Sequence, residues 1–300
     1  MPSYVAKPAD EYPHTPSRTP DWKESYWFGF YDPPSKICAL LYISAYPNVP
    51  KRDFLVALLA HGDADLYLNT LPLGGKLGQL SDNWLTYTLI KPNALWHIHF
   101  DDRRRFLDLD FSGRFATVRY DPKQSYIKGI LEQEHYEQPC LVKGTVRLAD
   151  GTRHEVHCFG HRDHSWGVRD YASIDEWYWV EAQFPPCTVN LIRLRVGSKI
   201  ENAGFVSTVE ETLRVTDLEV ETRHEKDGVT PKSFIYRFTD ETGKRWLLKS
   251  AKLQTYVYPP RQTKPGHETR IYEIVSSFRL QKQAEVGYGI AEQLVSRRTA

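Results

Sequence analysis

The 300-residue sequence is short of the sulfur-containing residues that mark several protein classes. It has a single Met and four widely spaced cysteines, Cys38, Cys140, Cys158 and Cys187, which form no CxxC pair. Scattered cysteines without a paired motif predict buried thiols in a reducing compartment, not a disulfide framework. We therefore expect a cytoplasmic protein.

An excess of charge and long apolar runs are also lacking. Lys and Arg total 39 against 38 Asp and Glu, a net charge of +1, so no electrostatic footprint for nucleic acid or an anionic membrane is present. No apolar run reaches the ~18 residues of a membrane-spanning helix, and no signal peptide is visible. The sequence predicts a soluble protein with neither nucleic acid nor membrane as a partner, and it leaves the oligomeric state open.

Several chemical motifs are missing as well. The sequence contains no GxGxxG, no P-loop, no GxSxG and no HExxH, so nothing supports a nucleotide cofactor or a serine nucleophile. We expect no cofactor, and any chemistry must come from side chains that act on a bound molecule.

Aromatic residues, by contrast, are abundant, with 18 Tyr, 13 Phe and 8 Trp. Such side chains suit pleated surfaces and the walls of pockets for hydrophobic ligands. Alternating segments are common, and three hairpins are predicted at turns that end in Gly. The predicted turns are Ser112-Gly113, Asp150-Gly151 and Thr242-Gly243.

Turn signals recur about every 8–12 residues, which is typical of sandwiches and barrels. Helical periodicity is nearly absent, and residues 288–296 are the best, weak candidate for a helix. Since a barrel of about eight strands encloses one small ligand, the roughly sixteen strand segments predict an all-β fold of two antiparallel barrels. We expect a proline-rich extended arm at 1–20 and barrels at 21–155 and 156–300, packed tightly because no flexible linker separates them.

The densest polar segment spans residues 154–170 and raises the question of a metal. Four His and one Cys lie between residues 154 and 164. Strand alternation would direct His154 and Cys158 to one face and His157 to the other, with a turn after Gly160. No three ligands converge by spacing, so we predict no metal site.

Residues 160–170 are a better candidate for acid–base chemistry, because Arg162, Asp163, His164 and Arg169 surround Trp166. This concentration of charge has two interpretations. It is either an ion-pair network that fixes a loop, or it holds a proton donor whose pKa is set by its neighbours within an apolar wall.

Two further strands carry candidate residues. In 177–184 the alternation places Trp177, Trp179 and Glu181 on one face and Tyr178 on the other. Glu181 is either a rim residue or a buried carboxylate with a raised pKa. In 96–101, His99 shares a face with His97 and Asp101, and that face is either exposed to solvent or part of a barrel lumen.

The run of residues 160–170 resembles the motif of the AttH/carotenoid 1,2-hydratase-type superfamily of lipocalin-like proteins. Weaker matches support it, namely residues 135–138, the opening Glu24, Tyr26, Phe30 and Asp32, and the closing 287–292. The resemblance extends from about residue 21 to 293 and implies two tandem lipocalin-like β-barrels. It also implies relatives that hydrate, isomerise or cyclise isoprenoid and polyketide chains without a cofactor. The His-x-Trp pair of the hydratase branch falls on His164 and Trp166, whereas its downstream Tyr-x-Asp element has no clear counterpart.

The first hypothesis is therefore a cofactor-free enzyme, a hydro-lyase or an isomerase/cyclase, acting on an isoprenoid, steroid or polyketide-like molecule. Asp163 or His164 would move the proton, with Glu181 as the reserve base. The expected substrate contacts are Trp166, Trp177, Trp179, Tyr178, Tyr136 and His99, and the residues expected to support the loop are Arg162, Arg169 and Asp170. The alternatives are a non-catalytic carrier of a lipophilic ligand and, more weakly, a glycan-binding module.

Overall fold

A computed structural model describes residues 5–74, 77–120, 130–258 and 266–298, most of which lie in β-strands. The chain divides into two compact units. The first contains the described residues up to Tyr120 together with Gln133–Arg169, and the second contains residues 130–132 and the chain from Asp170 onward. Residue 155, where the sequence pattern placed the seam, lies inside a strand of the first unit.

The first unit is a ten-stranded antiparallel sheet in the order β4-β3-β2-β1-β10-β9-β7-β6-β5, with β8 paired to β9. Its strands are β1 (Trp22–Asp32), β2 (Ile37–Tyr46), β3 (Lys51–Ala60), β4 (Asp63–Pro72), β5 (Leu85–Lys91), β6 (Leu95–Asp101), β7 (Phe106–Gly113), β8 (Val118–Arg119), β9 (Leu131–Arg147) and β10 (Arg153–Arg169). This sheet is curled, because Tyr67 of β4 packs on Phe100 of β6, near the other end of the strand order, with ring centroids 5.2 Å apart. Curling encloses one apolar core.

We call the side of this sheet that faces the core the core face. On β1 it carries Tyr26, Phe28 and Phe30, all buried in the core cluster. The alternate side chains of β1, including Lys23 and Ser25, lie on what we call the opposite face, and these too are buried. Both faces of β1, and of the part of β10 from residue 160 to 168 that pairs with it, therefore have little contact with solvent.

The second unit is a closed antiparallel barrel in the order β11 to β18. Its strands are β11 (Glu176–Gln183), β12 (Thr188–Val196), β13 (Lys199–Ser207), β14 (Thr212–His224), β15 (Pro231–Asp240), β16 (Arg245–Tyr258), β17 (His267–Leu280) and β18 (Val286–Arg298). Tyr178 of β11 meets Phe234 of β15 at 6.0 Å although these strands are not neighbours, so both rings lie in the interior. The prediction of an all-β protein is confirmed, with one closed eight-stranded barrel and one curled sheet.

Two of the three predicted hairpins are confirmed. β9 and β10 are neighbours joined by a turn that contains Gly151, and β15 and β16 are joined by a turn that contains Gly243. Both glycines have positive φ, +90° and +84°, a conformation that other residues adopt at a cost. The hairpin predicted at Ser112-Gly113 was wrong, because β7 pairs with β6 and β9, and β8 pairs with β9 and not with β7 among the described residues.

The predicted turn after Gly160 was also wrong. β10 runs without interruption from Arg153 to Arg169. Gly160 is required by packing, since an added Cβ would lie 2.5 Å from the Val142 side chain and 2.7 Å from the carbonyl oxygen of Gly29. This close approach between neighbouring backbones keeps the strand continuous where the glycine suggested a turn.

Residues 288–296, the weak helix candidate, belong to strand β18, so that prediction was wrong. β18 pairs with β17 along one edge and with β11 along the other, which closes the barrel. Hydrogen bonds to a neighbouring strand on each side stabilise β18 more than a weak local helical pattern would stabilise a helix.

The proline-rich arm is more deeply involved in the fold than predicted. Its short 3₁₀ helix, Pro8–Glu11, places Glu11 almost fully inside the first unit. All four cysteines are buried and form no disulfide, as expected. In the described part of the chain, no helix has the length and apolar character needed to cross a membrane.

Candidate functional site

Strand β10 carries most of the candidate residues and sorts them onto two faces. Arg162, His164 and Trp166 lie on the core face, opposite Phe28, Tyr26 and Glu24 of β1. Asp163 projects to the opposite face. Asp163 and His164, adjacent in the sequence, are therefore separated by the sheet and cannot act together on one bound group.

On the opposite face, four titratable residues of β9 and β10 form a chain that we call the acid–base cluster. His161 Nε2 lies 2.6 Å from Glu137 Oε2, and His135 Nε2 lies 3.1 Å from Glu137 Oε1. The same His135 nitrogen is 3.8 Å from Asp163 Oδ1. The side chains of Glu137 and His161 are fully buried, that of His135 is 8% exposed and that of Asp163 is 17% exposed, so Asp163 is the most exposed member of the cluster.

The two carboxyl groups of the acid–base cluster have opposite pKa shifts. Burial raises the pKa of Glu137, but the neighbouring His135 and His161 more than offset this effect and hold it at about 2. Burial raises the pKa of Asp163 to about 7; His135 opposes this rise and the Glu137 charge adds to it. One carboxyl group is thus ionised at neutral pH while the other has a proton available.

Positive charge lies close to this cluster. Lys23, only 4% exposed, donates from Nζ to the hydroxyl of Tyr42 at 2.9 Å. Burial raises the pKa of Tyr42, but Lys23 reverses this effect and leaves it below its usual value. Arg169 donates to Gln133 Oε1 from Nε at 2.8 Å. Both Lys23 and Arg169 lower the pKa of Asp163, so they would stabilise its carboxylate after proton loss.

On the core face, Arg162 holds the carboxylate of Glu11. Its Nη2 and Nη1 atoms donate to Oε1 at 2.6 Å and to Oε2 at 3.1 Å, a bidentate pair. The Tyr136 hydroxyl also donates to Oε2, at 2.6 Å. Arg162 Nε donates to Gln138 Oε1 at 2.8 Å. Burial raises the pKa of Glu11, but Arg162 and Tyr136 outweigh it and keep the pKa below its usual value.

A second group on the core face surrounds Glu24. His164 Nε2 lies 2.9 Å and His14 Nδ1 lies 2.8 Å from Glu24 Oε1. His14 stacks on Trp166 at 3.6 Å between ring centroids. Burial lowers the pKa of His164, although Glu24 opposes this shift. A neutral His164 is thus held by Glu24 inside the protein.

Among the described residues, two sets of side chains have the atoms to hold a metal ion. In each, three potential ligand atoms lie within 4.8 Å of one another, and the sets are His14, Glu24, His164 and His135, Glu137, Asp163. Two imidazoles with one carboxylate, or one imidazole with two carboxylates, are ligand sets that divalent metals accept. Hydrogen bonds within the sets already account for their geometry, so the absence of a resident metal stays a prediction.

In the second unit, Glu181 is buried on the face of β11 away from the barrel interior. It accepts hydrogen bonds from the backbone N–H of Ile290 and from Gln183, both at 3.0 Å. Trp177 and Trp179 share this side of the strand, as the alternation predicted. Tyr178 alone of the four faces the interior, where Gln293 donates to its hydroxyl at 3.0 Å.

The remaining candidates lie elsewhere. The His99 side chain is 45% exposed and sits 3.3 Å from Asp108, on the face of β6 that points away from the core. Asp170 caps the 3₁₀ helix Tyr171–Ser173 of the second unit by accepting from the N–H of Ala172. Arg162 and Arg169 lie within strand β10, so they support a sheet and not the predicted loop.

Sequence reasoning missed Glu11, His14 and the pairing of Glu137 with two histidines. The alternation of residues 134–138 would have placed His135 and Glu137 on one face and Tyr136 on the other, which the structure bears out. Nothing local signals Glu11, because its partner Arg162 is 151 residues away.

Residues 7–295 match a family described as a domain of unknown function, DUF7064. The chain belongs to this family. No curated protein matches the sequence.

Solved structures resemble this DUF7064 protein over nearly its whole length. A provisionally assigned AttH protein (NE1406) from Nitrosomonas europaea superimposes with a TM-score of 0.71 at 13% identity, covering 98% of both chains. CghA with Sch210972 gives 0.67 at 12% identity, covering 99% of this chain and 97% of CghA. CghA alone gives 0.63 at 12%, covering 99% and 96%. These likenesses confirm the AttH-like, lipocalin-like fold.

Proposed function

We propose that this protein is a cofactor-independent enzyme that protonates a hydrophobic small molecule and so starts a hydration, an elimination, a double-bond shift or a ring closure. Asp163 carries the proposal. Its carboxyl group holds a proton near neutral pH, lies beside an ionised Glu137 and keeps 17% exposure. A positioned acid whose pKa is near the working pH contributes about 10²–10⁴-fold to a rate.

The proposed step begins with transfer of the Asp163 proton to an electron-rich carbon or a carbonyl oxygen of the substrate. The resulting Asp163 carboxylate lies close to His135 and within the electrostatic influence of Lys23 and Arg169. The cationic intermediate then loses a proton to the Asp163 carboxylate, either from a neighbouring carbon or from a water molecule that has added to it, and this regenerates the acid. Environments that drive the pKa values of two nearby carboxyl groups apart are typical of acid–base catalysis.

The substrate class rests on the fold. Lipocalin-like barrels enclose lipophilic ligands, and one structure of this fold was solved with Sch210972. We infer a ligand of isoprenoid, steroid or polyketide type. Trp166 lies on the other face of β10 and His164 is held by Glu24, so we give neither of them a part in the transfer from Asp163.

The test incubates the native protein and the Asp163→Asn variant with a panel of isoprenoid, steroid and polyketide compounds in ordinary and in heavy water. Asp110→Asn is the matched control, because the Asp110 side chain is 54% exposed and lies outside the acid–base cluster. Mass spectrometry should show product or deuterium uptake with the native protein and the control, but not with Asp163→Asn. Enrichment of the same unchanged compound by all three proteins would favour a carrier instead.

A further inference from the structure

The N-terminal residues 5–21, which we call the strap, cover part of the core face of the first unit. Ala6 donates its N–H to the Thr117 hydroxyl at 3.1 Å, and Asp10 pairs with Arg119 at 3.2 Å. Between these contacts and β1, most strap side chains are exposed, and Tyr12 is 54% exposed. Within the strap, Ala6 is the one apolar residue that is buried, so the strap is attached mainly by polar contacts.

The carboxylate of Glu11 is the deepest polar group of the strap, and it receives five hydrogen bonds. Arg162 supplies two of them, at 2.6 and 3.1 Å, and the Tyr136 hydroxyl a third at 2.6 Å. The indole Nε1 of Trp96 donates at 3.2 Å and the backbone N–H of Asn93 at 2.6 Å. Each donor except the Asn93 amide belongs to a side chain of β6, β9 or β10, so the sheet itself forms a complete carboxylate-binding pocket.

An aromatic floor extends from this pocket beneath the strap. Trp22, Tyr136, Trp166 and Val168 form one cluster that packs against Ala6. His14 of the strap stacks on Trp166 at 3.6 Å. The strap thus places a carboxylate on a buried arginine and a flat ring on a tryptophan, as a bound aromatic or polycyclic acid would do.

One buried side chain beside the pocket has a hydroxyl that could form a further hydrogen bond. Tyr26 is 2% exposed, stacks on His164 at 3.9 Å between centroids, and its hydroxyl has no hydrogen-bond partner among the described residues. The charges of Glu24 and Glu11 both act on this phenol, which places it within the same polar group. A hydroxyl that is nine-tenths buried and has no hydrogen-bond partner costs free energy. A ligand with a second oxygen atom would supply that partner.

We propose that the core face holds a second ligand site, which takes a lipophilic carboxylic acid, and that Glu11 of the strap occupies it as an intramolecular substitute. Arg162 and Tyr136 would bind the ligand carboxylate, and Trp166 with Trp22 would contact its apolar body. Binding requires the strap to move away. This site lies on the other face of β10 from Asp163 and does not depend on the proposed proton transfer.

The test measures binding of cis-parinaric acid and of its methyl ester to the full-length protein by fluorescence titration. Glu11→Ala should bind the acid at least tenfold more tightly than the native protein, because the guanidinium of Arg162 is then free to pair with the ligand. Glu11→Gln should show a smaller gain in the same direction. The ester should gain nothing, since it carries no charge. Thr15→Ala, at an exposed position of the strap, is the matched control and should bind the acid as the native protein does.

The double variant Glu11→Ala, Arg162→Gln shows whether the gain in affinity depends on the charge of Arg162 or only on the loss of the strap contact. It lacks both charges, so its affinity for the acid should return to the native level or below. Equal gains for acid and ester, or a folded Glu11→Ala variant with native affinity for the acid, would overturn the proposal. If Glu11→Ala and Glu11→Gln unfold on their own, the acid should restore their melting transitions, and failure to do so would count equally against the site.

Discussion

Replacing Asp163 by Asn should change how the stability of the protein depends on pH. The pKa of Asp163 is about 7 in the folded protein and is that of an ordinary aspartate, about 3.9, in the unfolded chain. The folded state therefore binds the proton more tightly, so the contribution of Asp163 to the free energy of unfolding is largest at low pH and falls as pH rises from about 4 to 7. The asparagine side chain of the variant does not titrate, so it makes no such pH-dependent contribution.

The size of the effect follows from the width of this window. The interval from pH 5 to pH 7 is about two pH units. At about 1.36 kcal/mol per unit, the free energy of unfolding of the native protein should fall by about 3 kcal/mol over this interval. Because Asp163 is 17% exposed, solvent screens part of that value and we expect about 2 kcal/mol. The free energy of unfolding of Asp163→Asn minus that of the native protein should therefore be about 2 kcal/mol larger at pH 8 than at pH 5.

Urea denaturation at pH 5 and at pH 8 measures this difference directly. The native protein, Asp163→Asn and Asp110→Asn are compared at both pH values, and only for Asp163→Asn should the difference in stability from the native protein depend on pH. Glu137 does not confuse the comparison, because its pKa of about 2 places its own loss of stabilisation at more acid pH. A difference between native and Asp163→Asn that is the same at both pH values would show that the Asp163 pKa is not raised.

Three further outcomes follow from the structure. If Asp163 is the acid, the turnover of any substrate found should fall as pH rises through about 7, and a profile that is flat from pH 5 to 9 would contradict this role. Gly160→Ala should lower stability by about 1–3 kcal/mol in thermal melts, since the new Cβ would lie 2.7 Å from the carbonyl oxygen of Gly29; an unchanged melting temperature would refute the close approach. Glu11→Ala should cost about 3 kcal/mol or more because it leaves the charge of Arg162 buried without its carboxylate, and removing both groups together should restore part of that loss in urea denaturation.

The fold class followed from local pattern because a strand repeats every two residues. The alternation around Trp177 and Tyr178 predicted which side chains share a face, and the barrel agrees with it. The turn at Gly151 was equally predictable from the sequence, since few residues other than glycine adopt a φ of +90°. Local signals failed where distant strands compete, because β7 takes β9 as its partner in place of the segment that follows it, and β18 closes a barrel.

The sequence by itself determined the faces of Trp177 and Tyr178, since alternation depends only on neighbouring residues in an extended chain. It did not do so for Arg162 and Asp163, because a turn was predicted after Gly160 where the structure has a continuous strand. It could not determine which groups each would meet. Asp163 has a raised pKa because the assembled fold buries it and β9 brings the charge of Glu137 alongside, although His135 of the same strand opposes the rise. Arg162 meets Glu11 because β10 packs beneath the strap, 151 residues away along the chain. Strand period is a local property of the backbone, whereas burial and charge pairing arise only when the whole sheet is assembled.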